Sequence, residues 1–187
     1  MVINIDIDNT INDFIYKFIK HLNGLQSGHH KFEIEDFTEY NLSKSTGLDQ
    51  ESLEVLFYKN NSFHETLDPL CGSVPVISLL VDSGHDVRFV SSISYDAIQS
   101  RIDFMRKYFP FMYPDKQLII THDKASIYAD IVIDDHLKHL NNINKDCKFI
   151  LFDQPWNKDC KIPAIRVYDW FGVKDVLDEL GVFGNGF

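Results

Sequence analysis

The sequence predicts an α/β protein built on a doubly wound parallel sheet, and three observations predict it. Short apolar runs rich in β-branched residues recur at 2–5, 87–90, 118–120, 131–133, 149–152 and 165–167. Continuous runs of this kind read as strands buried on both faces. Helical patterns lie between several of them, and strands alternating with helices argue for a parallel sheet with helices on both sides. Finally, charged or hydroxyl residues stand directly after four of the runs, where an open parallel sheet places its ligands.

Taken in order, the first run leads straight into Asp6-Ile7-Asp8-Asn9-Thr10. Ile11, Phe14, Ile15, Phe18, Ile19 and Leu22 then recur at helical spacing, with Gly24 placed to end that helix. Between Gly24 and Leu70 the chain is polar, aromatic and helix-leaning, with no convincing buried strand, and it is too long for an ordinary connection. It reads as a small helical cap, residues 25–70, inserted after the first strand and helix and lying over the strand ends as a lid. Residues 1–24 and 71–187 then form the core. Ser73 and Pro75 suit the N-cap and first turn of another helix, with Gly84 past its end. Ile98, Ile102, Met105 and Phe109 make one stripe that Pro110 stops.

Composition bounds the function. The chain has 187 residues, 44% of them hydrophobic, which suits one domain or one core with a modest insertion. No apolar run reaches the ~18 residues of a membrane span, and the N-terminus shows no basic or cleavable apolar segment. Cys71, Cys147 and Cys160 are an odd, unpaired set that suits reduced thiols in a cytoplasmic protein. A net charge of −10 repels a phosphate backbone, so polynucleotide binding is not expected. A small anionic substrate is compatible with that charge if a divalent cation and a lysine make a local positive site. The apolar tail from Val182-Phe183 to Phe187 hints at a contact such as a homodimer.

The chemistry gathers at the strand ends. Asp6 and Asp8 stand two positions apart, and a strand period would set both on one side, where like charges repel and desolvation adds to the cost. A metal ion, or a division into acid and nucleophile, compensates such a pair; the plainer alternative is a helix cap and a salt-bridge partner. Ser91 and Ser92 follow the second run and offer a hydroxyl and backbone N–H groups to an anion, or simply cap a helix. Lys124, in Thr121-His122-Asp123-Lys124, lies beyond the third run, where it can offset carboxylates and hold a phosphate oxygen or merely face solvent. His122 beside it reads as an incidental loop histidine. Asp134 and Asp135 follow the fourth run; if the strand continues, only one of them faces the site. Hard oxygen ligands of this sort suit Mg²⁺ and suit zinc poorly.

Asp-x-Asp-x-Thr, Ser, Lys and Asp-Asp at successive strand ends resemble the four motifs of the haloacid dehalogenase superfamily, which occur in this order on a Rossmann-like sheet. The second aspartate favours a phosphatase over a dehalogenase. Over nearly the whole chain the resemblance is to the 5'(3')-deoxyribonucleotidase family. It is carried by Asp13-Phe14, Leu70-Cys71-Gly72, Asp123-Lys124, Ile133-Asp134-Asp135, the stretch from Leu151 to Asn157, and Arg166-Val167-Tyr168-Asp169-Trp170. The chain departs from the animal enzymes at Asn9-Thr10, where they carry Gly and an aliphatic residue, and at Ser91-Ser92-Ile93, where they carry Thr-Ser-Pro.

The resemblance implies a Mg²⁺-dependent phosphomonoester hydrolase acting on a nucleoside monophosphate. Asp6 would be the nucleophile and form an aspartyl-phosphate, and Asp8 the acid and base. Asp6, the Asp8 carbonyl and Asp135 would hold the metal with Asp134 beside it, while Ser91 and Lys124 bind the phosphoryl oxygens. Thr10 would orient the loop. Phe14 matches a base-contacting aromatic, and Tyr40 and Tyr58 fall near others of that pocket, although Phe14 also belongs to the apolar stripe of its helix. Two alternatives stay open: a phosphatase for a sugar phosphate or other small ester, and a metal- or phosphate-binding module without turnover.

Overall fold

Six parallel strands form one sheet in the order β3-β2-β1-β4-β5-β6. They are β1 (Val2–Ile5), β2 (Asp86–Ser91), β3 (Leu118–Ile120), β4 (Ile131–Asp134), β5 (Lys148–Phe152) and β6 (Ile165–Val167). The computed structural model describes residues 1–25, 31–136, 146–161 and 163–184. Every expected strand is present, because a strand buried on both faces leaves a continuous apolar run in the sequence. In the central strand Ile3 pairs with Val87 on one side and Ile131 on the other. The chain winds outward from β1 through β2 to β3, then returns to β4 beside β1 and continues outward through β5 and β6. The winding direction therefore reverses between β1 and β4, the place where open α/β sheets bind ligands beyond the carboxyl ends of their strands.

The helices that flank the sheet are α1 (Phe14–Leu25), α5 (Ser73–Asp82), α6 (Ile98–Tyr108) and α8 (Trp170–Glu179). Helix α1 runs through Gly24 instead of stopping there. Helix α5 starts one residue earlier than expected: Gly72, at φ 86°, is its N-cap and Ser73 its first residue. Only glycine fits at 72, since a Cβ there would stand 3.0 Å from Trp170 Cβ and the backbone is left-handed. In α6 the buried face is Ala97, Ser100, Arg101, Phe104 and Met105, so the stripe expected on Ile98 and Ile102 is out of phase and both are only half-buried.

Between α1 and α5 the described chain forms short helices: α2 (Leu42–Thr46), α3 (Gln50–Leu53), a π-turn over Glu54–Tyr58, and α4 (Asn61–His64). Each α-helix is stopped short and capped by its own polar residue, with Asn41, Asp49 and Asn60 accepting from Ser43, Ser52 and Phe63 amides. The apolar face of α1 packs on this segment: Phe18 meets Phe37 and Phe57 at ring-centroid distances of 5.8 and 4.3 Å, and Phe14 meets Phe63 at 5.4 Å. The chain leaves and re-enters the sheet region side by side, where Asp13 N donates to Asp68 O at 3.1 Å and Leu70 N to Ile11 O at 2.7 Å.

The remaining helix, α7 (Pro114–Gln117), leads into β3. Val182, the start of the apolar tail read as a contact surface, is 5% exposed and packs in the core with Phe183 beside it; residues 185–187 of that tail lie outside the described residues. Among the described residues, no helix is long and apolar enough to cross a membrane. Cys71, Cys147 and Cys160 are all free thiols.

Candidate active site

The loop after β1 folds back on itself at once. Asp6 N continues the ladder by donating to Ile133 O at 2.9 Å, and Ile7 O then accepts from Ile11 N at 2.9 Å and Asn12 N at 3.0 Å. This turn needs a left-handed residue, and Asn9 supplies it at φ 58°. Asparagine tolerates that region better than most residues with a Cβ. Asn9 Oδ1 accepts from Ile15 N at 2.7 Å and Asn12 Oδ1 from Phe14 N at 3.1 Å, so the asparagines, not Asp8, hold the start of α1. Thr10 is fully buried, and its carbonyl accepts from Trp170 Nε1 at 2.7 Å.

Three carboxylates converge at the reversal point. Asp6, Asp134 and Asp135 each offer an oxygen, and these atoms all lie within 4.8 Å of one another. The expectation that only one of the adjacent pair faces the site is corrected: β4 ends at Asp134, strand alternation stops there, and both acids turn to Asp6. Lys124 reaches in from beyond β3, with Nζ 2.6 Å from Asp6 Oδ1 and 2.9 Å from Asp134 Oδ2.

All three acids are buried, and the electrostatics follow. Burial pushes Asp6 up to about 7, reinforced by Asp134 and Asp8, with Lys124 opposing. Burial, Asp6 and Asp134 likewise raise Asp135 well above the usual carboxylate range. Burial works to lower Lys124, but Asp134 and Asp6 outweigh it and keep the ammonium charged. One cation among three carboxylates leaves an excess of negative charge on hard oxygen donors, a set that fits a divalent cation of the Mg²⁺ type.

Asp8 lies apart from this cluster. Its side chain is 30% exposed; Asn12 Nδ2 donates to Oδ1 at 3.0 Å, and Arg101 Nη2 donates to Oδ2. Sequence reasoning missed Arg101. The signal was available: a charged residue on the apolar side of a helix, next to Phe104 and Met105, is costly to bury unless something receives it.

A second missed group supports the acidic pair from behind. Trp156 Nε1 donates to Asp135 Oδ2 at 3.1 Å, and Asn157 Nδ2 to Asp135 O at 2.8 Å and Phe152 O at 2.6 Å. Arg166 Nη1 in turn donates to Asn157 Oδ1 at 2.7 Å and to Asp153 Oδ1 at 2.7 Å. The two C-terminal stretches that carry the family resemblance thus fold onto one another to fix Asp135.

A cavity of about 640 Å³ opens over Asp6, Asp8 and Lys124. Phe14, Tyr40 and Tyr58 line it, as do Ser92 and Trp156. Ser91 does not: β2 runs one residue past the apolar run, so Ser91 is buried in the strand and Ser92 takes the wall, its hydroxyl donating to Thr121 O at 2.9 Å. Phe14 serves the core and the cavity together. Tyr58 stacks on it at 6.3 Å, and Tyr40 stacks on His136 at 3.8 Å. His122 also lines the cavity.

The family model described as 5' nucleotidase, deoxy (pyrimidine), cytosolic type C protein matches residues 1–181. The chain belongs to this family. Among curated relatives, a 5'(3')-deoxyribonucleotidase of Bacillus subtilis strain 168 is 26% identical over 171 residues, covering 90% of this chain and 94% of the relative. One from Clostridium acetobutylicum is 29% identical over 98 residues, 52% of each chain. Among solved structures, a haloacid dehalogenase family hydrolase from Deinococcus radiodurans, with bound phosphate and sodium, superposes with a TM-score of 0.66 at 12% identity and covers 97% of this chain and 96% of that one. A hydrolase from Pseudomonas syringae gives 0.60 at 17% identity, covering 96% and 99%. The sheet and its helices are therefore the haloacid dehalogenase fold expected from the motifs.

Proposed function

We propose that this member of the family is a Mg²⁺-dependent phosphatase of (deoxy)nucleoside monophosphates that works through an aspartyl-phosphate on Asp6. Family membership makes it a phosphoric monoester hydrolase of the nucleotidase type. The observation that carries the mechanism is the division of the first motif: Asp6 joins Asp134, Asp135 and Lys124, while Asp8 is held separately by Arg101 and Asn12.

Asp6 attacks phosphorus and the bond to the leaving sugar oxygen breaks; that oxygen takes a proton from Asp8. Water then attacks the aspartyl-phosphate and gives a proton to Asp8, and the bond to Asp6 breaks to release phosphate. Lys124 offers its ammonium to the phosphoryl oxygens, opposite the end of β2 where Ser92 is on the wall and Ser91 behind it. Asp6, Asp134, Asp135 and the Asp8 carbonyl would hold the cation, which keeps the carboxylates ionised and offsets phosphate charge. Residues 25–70 act as the cap, its Phe37, Phe57 and Phe63 packed on α1, and Phe14, Tyr40 and Tyr58 supply apolar and stacking surface for a base. A location in the cytoplasm suits the free thiols.

The test is direct. Purified protein with Mg²⁺ should release phosphate from deoxynucleoside monophosphates faster than from sugar phosphates, EDTA should abolish release, and Asp6→Asn should be inactive though folded. An active Asp6→Asn enzyme would remove Asp6 as nucleophile, and a preference for sugar phosphates would remove the nucleotide.

A further inference from the structure

We propose that Arg101 is a positioning residue that sets the Asp8 carboxylate for proton transfer to the leaving oxygen, and that His64 of the cap segment completes its hold. The inference rests on the phosphatase reading above. Arg101 is only 1% exposed, and among the described residues its one side-chain hydrogen-bond partner is Asp8. Burying a guanidinium carries a large desolvation cost, and a single ion pair seldom stabilises more than a well-packed apolar side chain would. The rest of this helix face includes Ala97, Phe104 and Met105, so a leucine or methionine would pack there without that cost. Packing therefore gives no reason for an arginine, and the Asp8 carboxylate does. With Asn12 on Oδ1 and Arg101 on Oδ2, both oxygens are held and the rotamer is fixed, while the side chain still borders the cavity.

The cap segment meets α6 at this point. Ser100 Oγ donates to Asn61 Oδ1 at 2.5 Å, and Asn61 Nδ2 to Asp96 O at 3.2 Å, which fastens α4 to the start of α6. His64 lies on the same short helix and borders the same cavity as Arg101. Its Nε2 faces Tyr58 O at 3.2 Å. A carbonyl only accepts, so Nε2 carries the proton and Nδ1 of the neutral ring is an acceptor. Burial, seconded by the Arg101 charge, pushes His64 down to about 4, so the ring is neutral.

His64 Nδ1 and Arg101 Nε are both buried, and neither has a hydrogen-bond partner among the described residues. One is an acceptor and the other a donor, and each is costly to leave unpaired. Pairing them would complete a chain from Asp8 through Arg101 and His64 to the Tyr58 carbonyl. Seating the cap and fixing the acid then become one event.

The experiment compares kcat/KM for a deoxynucleoside 5'-monophosphate and for p-nitrophenyl phosphate in wild type, Arg101→Ala and His64→Phe. This parameter reports steps through transfer of the phosphoryl group to Asp6. A nucleoside alkoxide needs a proton to leave, and p-nitrophenolate does not. Arg101→Ala is expected to lower the nucleotide value about a hundredfold and the p-nitrophenyl phosphate value less than about tenfold, with added guanidinium, but not equal NaCl, restoring the nucleotide reaction. His64→Phe should show the same bias more weakly. If Arg101→Ala does not fold by circular dichroism, Arg101→Met takes the same assays. Equal losses on both esters without guanidinium rescue, or no loss, overturn the role of Arg101, and an unbiased His64→Phe overturns that of His64. Wild type inactive on both esters would overturn the phosphatase reading itself, and this inference with it.

Discussion

Without a cation, the acidic cluster should make the protein less stable as pH rises, and Asp6 supplies the magnitude. Its ordinary value is 3.8 and burial raises it to about 7 in the folded chain. A raised carboxylate contributes stability that is fully present below its unfolded value and lost as pH rises through its folded one, because between the two the folded state keeps a proton that the unfolded state has given up. At about 1.4 kcal/mol per pH unit, the interval from pH 5 to about 7 is worth roughly 3 kcal/mol. For a chain of this length that is a melting shift on the order of 8 °C.

The assay is thermal unfolding by circular dichroism in EDTA at pH 5 and pH 8, for wild type and Asp6→Asn. Asparagine does not titrate, so the difference between the two proteins isolates Asp6 from the histidines and from the general self-repulsion of an acidic chain. Wild type should lose about 3 kcal/mol more than Asp6→Asn between these pH values, and millimolar Mg²⁺ should close most of the gap by binding the ionised carboxylates. Parallel pH dependences for the two proteins in EDTA would refute the reasoning.

Three further outcomes follow from the same geometry. Lys124→Met removes the ammonium from Asp6 and Asp134, so in EDTA at pH 8 it should cost ~3–5 kcal/mol in denaturant unfolding, with a smaller loss at pH 5 where the acids can take up protons. Trp156→Phe removes the donor to Asp135 Oδ2; calorimetric Mg²⁺ affinity should fall about ten- to a hundredfold with little change in melting temperature. Trp170→Phe leaves the Thr10 carbonyl without its donor, and melts should show a loss of about 1–3 kcal/mol.

What could be read in the sequence divides along a physical line. Strands buried on both faces write themselves as apolar runs, and a parallel sheet brings their carboxyl ends to one edge, so Asp6, Lys124, Asp134 and Asp135 could be found together without any knowledge of distances. Side-chain direction at a strand end could not. Whether Asp134 and Asp135 both face inward depends on β4 stopping at Asp134, and whether Ser91 or Ser92 meets the cavity depends on β2 running through Ser91. Helix α6 misled for a related reason. Its most apolar residues suggested one stripe, but the face turned inward also carries Ser100 and Arg101 because it meets Asn61 and Asp8. Trp156, Asn157 and Arg166 carried the resemblance with no visible task, since hydrogen bonds to Asp135 across the fold leave no local pattern.

The loop after β1 accounts for the different work proposed for two aspartates so close in sequence. A strand continuing through Asp8 would have set both carboxylates on one side, competing for the same cation and the same lysine. Instead β1 ends at Ile5, Ile7 is buried, and Asn9 turns the chain. Asp6 stays with the dry cluster at the reversal point, and Asp8 is delivered to the more open wall beside α6. Environments that differ this much suit the proposed division into nucleophile and acid without any difference in side-chain chemistry. The separation depends on the turn more than on either acid: a residue at position 9 that resisted φ 58° would strain the turn that sets both carboxylates, whereas glycine or asparagine keeps it.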